Sequence, residues 1–269
     1  VKTILFNAFP GGANRALTFS YDDGVTQDRR LVKIFNQHGM KGSFHLNAGL
    51  LGRKPRHLDA EEIAALFQGH EISAHSFTHP FLDHVPTATV VQQMLEDRRK
   101  LEALAGYPVR GMSYPYGTTS DRVVDALGQL GIEYSRTTHA TRSFDLPAEP
   151  LRWHPTCHHN HDVIALGEQF QARGDRYGNR QHLMYVWGHS YEFDNDDNWD
   201  VIDQFCAQMA NHPRTWYATN IEILDYLAAQ RSLRFSADCD LVYNPSAIAV
   251  SFTADGQLRE VAPGQTLQL

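Results

Sequence analysis

Short β-rich runs alternate with amphipathic helical segments along most of this chain, and that rhythm constrains the fold more than any other feature. Seven strand–helix pairs are readable. Arg15–Tyr21, Gly42–Leu46, His70–Ala74, Gly111–Tyr114, Ile132–Ser135, Leu183–Trp187 and Trp216–Ala218 read as strands, being short, β-rich and bounded by turn residues. The first helix, Asp28–His38, carries Leu31, Ile34, Phe35 and His38 on one face and stops at Gly39. Asp59 caps the second, with Glu62 as capping-box partner and Gly69 as the stop. Thr87 caps a helix ending at Gly106, and Ser120 one ending near Gly131. Val163–Arg173 follows a long irregular stretch, Asn198 caps a helix to Ala210, and Asn220–Gln230 is the last. Strict alternation implies parallel strands, because the crossover helix lets consecutive strands run the same way. With no doubly wound signature, it points to an α/β barrel. After Arg231 the pattern changes to short strands over Leu241–Tyr243, Ala247–Phe252, Leu258–Val261 and Thr266–Leu269, with turns at Asn244-Pro245 and Asp255-Gly256. The expected division is therefore a barrel over residues 1–230 and a small C-terminal β appendage over 231–269.

Composition narrows the chemistry. The 269 residues include 24 Lys+Arg against 31 Asp+Glu, a net charge of −7, which gives no support to a nucleic-acid or anionic-membrane surface. With 42% hydrophobic and 20% charged residues the chain can bury a sizeable core. Its apolar runs fall well short of the roughly 20 residues a membrane helix needs, so no membrane insertion is expected. Cys157, Cys206 and Cys239 are too few and too scattered for a disulfide framework. One must be free in a monomer, and the opening Val1–Phe6 does not read as a signal peptide, so a reducing, cytoplasmic setting is the expectation. The 15 His direct attention to metal or proton chemistry.

In a parallel barrel, functional groups gather where strands end at their C-terminal edge. Here those ends carry Ser20-Tyr21-Asp22-Asp23-Gly24, His75-Ser76-Phe77-Thr78-His79, Ser113-Tyr114-Pro115-Tyr116-Gly117, Arg136 and Trp187-Gly188-His189. His75 and His79 are four apart, a spacing that lets two imidazoles share a metal. The spacing is weak alone, and Asp22-Asp23 alone could simply open a turn before Gly24. Together they make a His₂Asp set with coordination positions left for water and substrate, while the second Asp remains free as a base.

The ordered set Thr18-Phe19-Ser20-Tyr21-Asp22-Asp23-Gly24, His75-Ser76-Phe77-Thr78-His79, Tyr114-Pro115-Tyr116-Gly117 and Trp187-Gly188-His189 resembles the polysaccharide deacetylases of carbohydrate esterase family 4, over roughly Ala16 to Leu227. The resemblance implies a distorted (β/α) barrel of about seven parallel strands and a metal-dependent hydrolase that removes N-acetyl groups from an amino sugar, oligosaccharide or polysaccharide. It implies Asp22 as catalytic base, and Asp23, His75 and His79 as ligands of a divalent ion, zinc first. It further implies His189 as catalytic acid and the Tyr116 amide as oxyanion donor. An acetylated carbohydrate is the expected partner. Tyr114, Trp187 and Arg136 are candidate substrate contacts. Other readings of the same residues are an O-acetyl esterase, an amidase on a small non-sugar amide, and a carbohydrate-binding barrel without turnover.

The chain departs from the family pattern in three places. Ser113 stands where an Arg usually orients the base, and Arg136, at the next strand end, is a candidate replacement whose planar fork suits a carboxylate. The family's Trp-bearing motif is not recognisable, leaving Asp145 as the candidate carboxylate to orient the acid. Trp187 stands where Leu is usual, placed to narrow the acetyl site or to stack on a sugar. Cys157-His158-His159 with His161 reads either as a polar loop or as cleft lining or a second metal site. Asp194, Asp196 and Asn198 do not make a calcium loop, because Trp199 and Phe205 stand where Gly and Glu are needed. Trp153, Trp199 and Trp216 fit either core or sugar platforms.

Overall fold

A computed structural model describes residues 1–269. In chain order its elements are β1 (Ile4–Leu5), β2 (Arg15–Asp23), α1 (Asp28–His38), β3 (Gly42–Leu46), α2 (Ile63–Leu66), β4 (Glu71–Ala74), α3 (Thr87–Ala105), β5 (Gly111–Ser113), α4 (Asp121–Gln129) and β6 (Tyr134–Arg136). They continue with β7 (Cys157–His158), α5 (Val163–Arg176), β8 (His182–Gly188), α6 (Glu192–Asn195), α7 (Trp199–Met209), β9 (Thr215–Tyr217) and α8 (Asn220–Ser232). Strands β10 (Arg234–Phe235), β11 (Leu241–Tyr243), β12 (Val250–Ala254), β13 (Gln257–Val261) and β14 (Thr266–Gln268) complete the chain.

The barrel strands are all parallel, in the order β6-β5-β4-β3-β2-β8-β7, with β9 also on β2. Strand β2 is buried along its whole length and organises the sheet. One edge pairs with β8 from Arg15 to Tyr21; the other is divided, with β9 on Arg15–Leu17 and β3 on Phe19–Asp23. This division distorts the barrel. The seven expected strands are present, and the irregular stretch between β6 and β8 supplies the closure. Trp153 N donates to Ser135 O (2.9 Å) and Trp153 O accepts from Thr137 N (3.0 Å), while Thr156 N and His159 N donate to Tyr185 O and Trp187 O on β8 (2.8 and 2.9 Å). The two-residue β7 within this strap is too short to show alternation, so the sequence pattern passes over it.

Capping chemistry explains several helix ends. Gly39 closes α1 in the left-handed region, Ser120 accepts from Val123 N at the start of α4, and Thr219 with Glu222 boxes the start of α8. Three starts differ from expectation. Pro86, not Thr87, is the N-cap of α3 and offers no side-chain acceptor. The Asp59–Glu62 box opens a 3₁₀ turn and only a single turn of α2. Asn198 sits at the start of α7 but donates its amide to Asn160 Oδ1 (3.1 Å) rather than capping.

Leu17, Phe19, Tyr21, Leu31, Phe35 and Phe44 belong to the main core between sheet and helices. A second core joins Phe9, Ala218, Tyr226, Val242, Phe252 and Val261. Strand β1 pairs antiparallel with β12, Ile4 opposite Ala254, so the β appendage draws on both chain ends and not only on residues beyond 230. The Tyr226 hydroxyl of α8 fastens the two parts, donating to Ala8 O (3.0 Å) and accepting from Ser251 N (3.0 Å). Trp153 and Trp199 are core residues, and Trp216 packs on the second core. No helix is long and apolar enough to cross a membrane.

Candidate active site

Strand β2 delivers Asp22 and Asp23 to the rim in succession, and strand alternation sends them in different directions. Asp22 is buried. Ser113 Oγ donates to its Oδ1 (2.9 Å), and Arg136 Nη2 donates to its Oδ2. Arg136 has no exposed surface; Nε donates to Ser20 Oγ (3.0 Å), Nη1 to Thr137 O (3.3 Å), and the guanidinium lies 4.2 Å from the Trp187 ring. Arg136 therefore stands behind the carboxylate and supplies the charge that the neutral hydroxyl of Ser113 lacks. It is sealed from substrate, which corrects the reading of it as a substrate contact. Burial alone would raise the Asp22 pKa, but Arg136 and the neighbouring imidazoles outweigh it and hold the group well below the usual carboxylate range.

Asp23, with φ 81°, turns toward the imidazoles that follow β4. His75 Nε2 and His79 Nε2 each lie 3.7 Å from Asp23 Oδ1, and the three ligand atoms fall within 4.8 Å of one another. Two metal–ligand bonds of about 2.0–2.2 Å span up to roughly 4 Å, so one divalent ion fits this donor set. The local bonding also suits a ligand. His75 Nδ1 contacts Ser113 O (2.8 Å) and Ser113 Oγ (2.7 Å), which places its proton there and leaves Nε2 with a free lone pair. Burial lowers the His75 pKa to about 4, keeping the ring neutral. Ser113 thus touches both the carboxylate and the imidazole. Ser76 (φ 64°), His79 (φ 62°) and Tyr116 (φ 60°) join Asp23 in the left-handed region around this rim.

Asp22, Asp23, His75 and His79 line a cleft of about 500 Å³ together with Tyr116, Trp187 and His189. Tyr116 is half exposed, stacks on Phe81 with ring centroids 3.6 Å apart, and meets the edge of His79 at 4.5 Å. Tyr114, expected to contact substrate, is buried with its hydroxyl donated to Leu151 O (2.7 Å), so it forms wall rather than binding group. A cavity of about 540 Å³ under residues 141–156 lies apart from the cleft, and the Arg152 and Glu149 that line it pair with each other at 3.3 Å.

His189 follows β8, with Nδ1 3.2 Å from Glu192 Oε1. Burial opposes a charged His189 ring, but Glu192, Asp22 and Asp23 together lift its pKa above the ordinary value. Asp145, the candidate partner of His189, is exposed instead, its carboxylate accepting from Ser143 Oγ and its backbone N–H donating to the same oxygen (3.2 Å). Glu192 is the carboxylate beside the His189 ring, and its only sequence signal was its position three residues after His189. The Cys157–His161 cluster is divided. Cys157 is a core thiol pushed up to about 12 by burial, whereas His158 and His159 turn toward Glu192. Arg56, also not anticipated, reaches over the cleft to Asp23 Oδ2 (3.3 Å) with its guanidinium on the Tyr191 ring (5.0 Å).

Fold and rim together define a class: a curled parallel (β/α) barrel with paired carboxylates and imidazoles at its strand ends. Residues 11–135 match the sequence profile described as "Polysaccharide deacetylase", so over that span the chain is similar to the polysaccharide deacetylases. It is 25% identical over 127 residues to the peptidoglycan-N-acetylglucosamine deacetylase PgdA of Listeria monocytogenes, which covers 46% of this chain and 26% of that one. It is 29% identical over 123 residues to a chitin deacetylase of a Pestalotiopsis species, covering 43% and 38%. The chain thus spans well under half the length of these relatives. The solved structure of a Mycobacterium smegmatis protein, provisionally described as a polysaccharide deacetylase, superposes with a TM-score of 0.63 over 83% of this chain and 93% of the other, at 16% identity, a likeness of fold.

Proposed function

We propose that this chain is a metal-dependent deacetylase that hydrolyses the acetamido group of an acetylated carbohydrate. One observation carries the reading: a buried, ionised Asp22 stands next to the Asp23–His75–His79 donor set, in one cleft with a His189 biased toward its charged form. A carbohydrate-binding barrel has no need of a buried cation behind one rim carboxylate.

Asp23, His75 and His79 would hold a divalent ion, zinc being the best fit to two imidazoles and a carboxylate. When bound, such an ion polarises the acetyl carbonyl and lowers the pKa of water to about 7. Asp22, kept ionised by Arg136, accepts the proton of the attacking water; its orientation is fixed by Ser113 and Arg136. The Tyr116 amide, on the left-handed turn beside His79, is the donor for the developing oxyanion, worth about 3–4 kcal/mol in comparable sites. As the C–N bond breaks, its electron pair stays on nitrogen and His189 supplies the proton that makes the amine. Trp187, 8% exposed on β8 with Arg136 under its ring, walls the acetyl end of the cleft.

Acetate release from N-acetylated sugar oligomers, acetylated xylan and small amides, measured with metal-free and metal-reconstituted protein, tests the reading. Release from N-acetylated sugars that disappears on chelation is the expected result. Turnover confined to O-acetyl esters or small amides moves the substrate assignment, and metal-independent turnover removes the ion.

A further inference from the structure

Glu192 is ringed by imidazoles. Its Oε2 accepts from the His189 backbone N–H (2.9 Å), lies 3.0 Å from His158 Nε2 and 3.5 Å from His159 Nε2, while Oε1 faces His189 Nδ1 at 3.2 Å. His158 has a defined tautomer: its Nδ1 accepts from Asn160 N (3.2 Å), so the proton of the neutral ring sits on Nε2, toward Glu192. Oε2 is thus held by the His189 amide and by His158, leaving Oε1 for the His189 ring. The Nδ1–Oε1 contact is an ion pair with poor alignment rather than a well-formed hydrogen bond, as apo catalytic contacts commonly are. With Nδ1 turned to Glu192, the nitrogen left for the cleft is Nε2.

The backbone is built around this cluster. A Cβ at position 188 would come within 2.0 Å of His159 Nδ1, so only glycine allows the His159 ring to lie against the strand end that carries His189. His159 itself is buried in a stack between Tyr21 and Phe193, at 5.7 and 4.1 Å, and burial lowers its pKa to about 3, so it adds bulk and no charge.

We propose that the proton donor of this chain is a line of three residues, His158–Glu192–His189, in which His158 holds Glu192 and Glu192 holds His189 charged with Nε2 toward the cleft. The proposal rests on the reading of His189 as the acid, and assigns Glu192 and His158 as positioning residues. The groups facing His189 are Glu192 on its own turn, Asp22 and Asp23 from β2, and, through Glu192, His158 and His159. Despite burial, His158 and His189 keep Glu192 well below the usual carboxylate range, so it stays charged through neutral pH.

The test compares an amide, whose leaving nitrogen needs a proton, with an activated aryl acetate, whose leaving group does not. Glu192→Gln should lower kcat on the amide by about 10–100-fold, leave the aryl acetate rate within about twofold, and move the alkaline limb of the pH profile to lower pH. His158→Phe should do the same to a smaller extent, and His158→Gln, which restores a donor to Glu192, should recover most of the loss. The pKa of His189, followed by NMR on the full chain, should fall in Glu192→Gln and His158→Phe. That measurement stands even if no acetylated sugar is a substrate, so it separates failure of this proposal from failure of the deacetylase reading. Equal losses on both substrates, or a His189 titration unmoved by either substitution, would overturn it.

Discussion

Two carboxylates are buried inside the same barrel and have opposite chemistry. Asp22, at the rim, is paired with a buried guanidinium. Glu71, at the start of β4 and so toward the other end, accepts only from neutral donors: Ser43 Oγ (2.6 Å), Tyr134 Oη (2.7 Å) and Ile221 N (3.1 Å) at the first turn of α8. Burial raises Glu71 to about 7 despite those hydrogen bonds, whereas Asp22 is driven far the other way. Three neutral donors do not substitute for one cation in a low-dielectric interior, because desolvation penalises the charge itself. At the rim a cation keeps the carboxylate charged; at the floor neutral donors alone satisfy it.

Removing the cation should have the largest effect. Arg136→Met leaves Asp22 charged and uncompensated, and should cost about 3–5 kcal/mol of stability at pH 7 together with most of the turnover. Arg136→Lys should recover charge but not the two-sided grip on Ser20 and Asp22, and fall between. Denaturant melts of both variants measure this, and a Met variant as stable as the parent would dissolve the contrast with Glu71.

Asp22→Asn should come next, with kcat lower by about 10²–10⁴-fold while metal content stays at the parent level, since Asp23 is the expected ligand. Retained turnover would move the base elsewhere. Ser113→Ala is expected to cost about 10–100-fold in activity or metal affinity, because one hydroxyl contacts both Asp22 and His75. A metal titration beside the kinetics shows which partner suffers.

The smallest effect belongs to the floor. A Glu71 pKa raised to about 7 means that the native state binds a proton that the unfolded chain releases near pH 4.5, so this group makes stability fall as pH rises between those values. Glu71→Gln removes that contribution. Its stability, measured at pH 5 and pH 8, should decline less with pH than that of the parent; identical slopes would show that Glu71 is ionised after all.

Much of this was readable in the chain, for physical reasons. Strand–helix alternation is a long periodic signal, so the seven main strands and their parallel order were legible. Asp22, Asp23, His75, His79 and His189 sit directly at strand ends, where chain position fixes spatial position. Arg136 was reachable as a partner for Asp22 because β5 and β6 are neighbours in sequence and in the sheet. The misses share a different cause. Strand β7 spans two residues and has no period. The pairing of β1 with β12 joins segments some 250 residues apart, which no local pattern encodes. Tyr114 looked open because it follows a strand end, yet its hydroxyl finds a carbonyl on a distant loop. Glu192 and His158 meet only because the strap that closes the barrel lies against β8.

The left-handed backbone at Asp23, Ser76, His79 and Tyr116 bears on how this rim can diverge. A substitution at these positions passes through two independent filters, one for side-chain chemistry and one for backbone shape. Asn, Asp, His and Gly tolerate the left-handed region, whereas Val, Ile and Thr do not. The accessible alphabet is therefore short and made largely of residues that bind cations or donate hydrogen bonds. Neighbouring sequences can exchange one ligand for another without reshaping the loop, while replacement by a β-branched residue disturbs the rim before any chemistry is at stake. In that sense the turns favour a polar rim whichever permitted residue stands at each position.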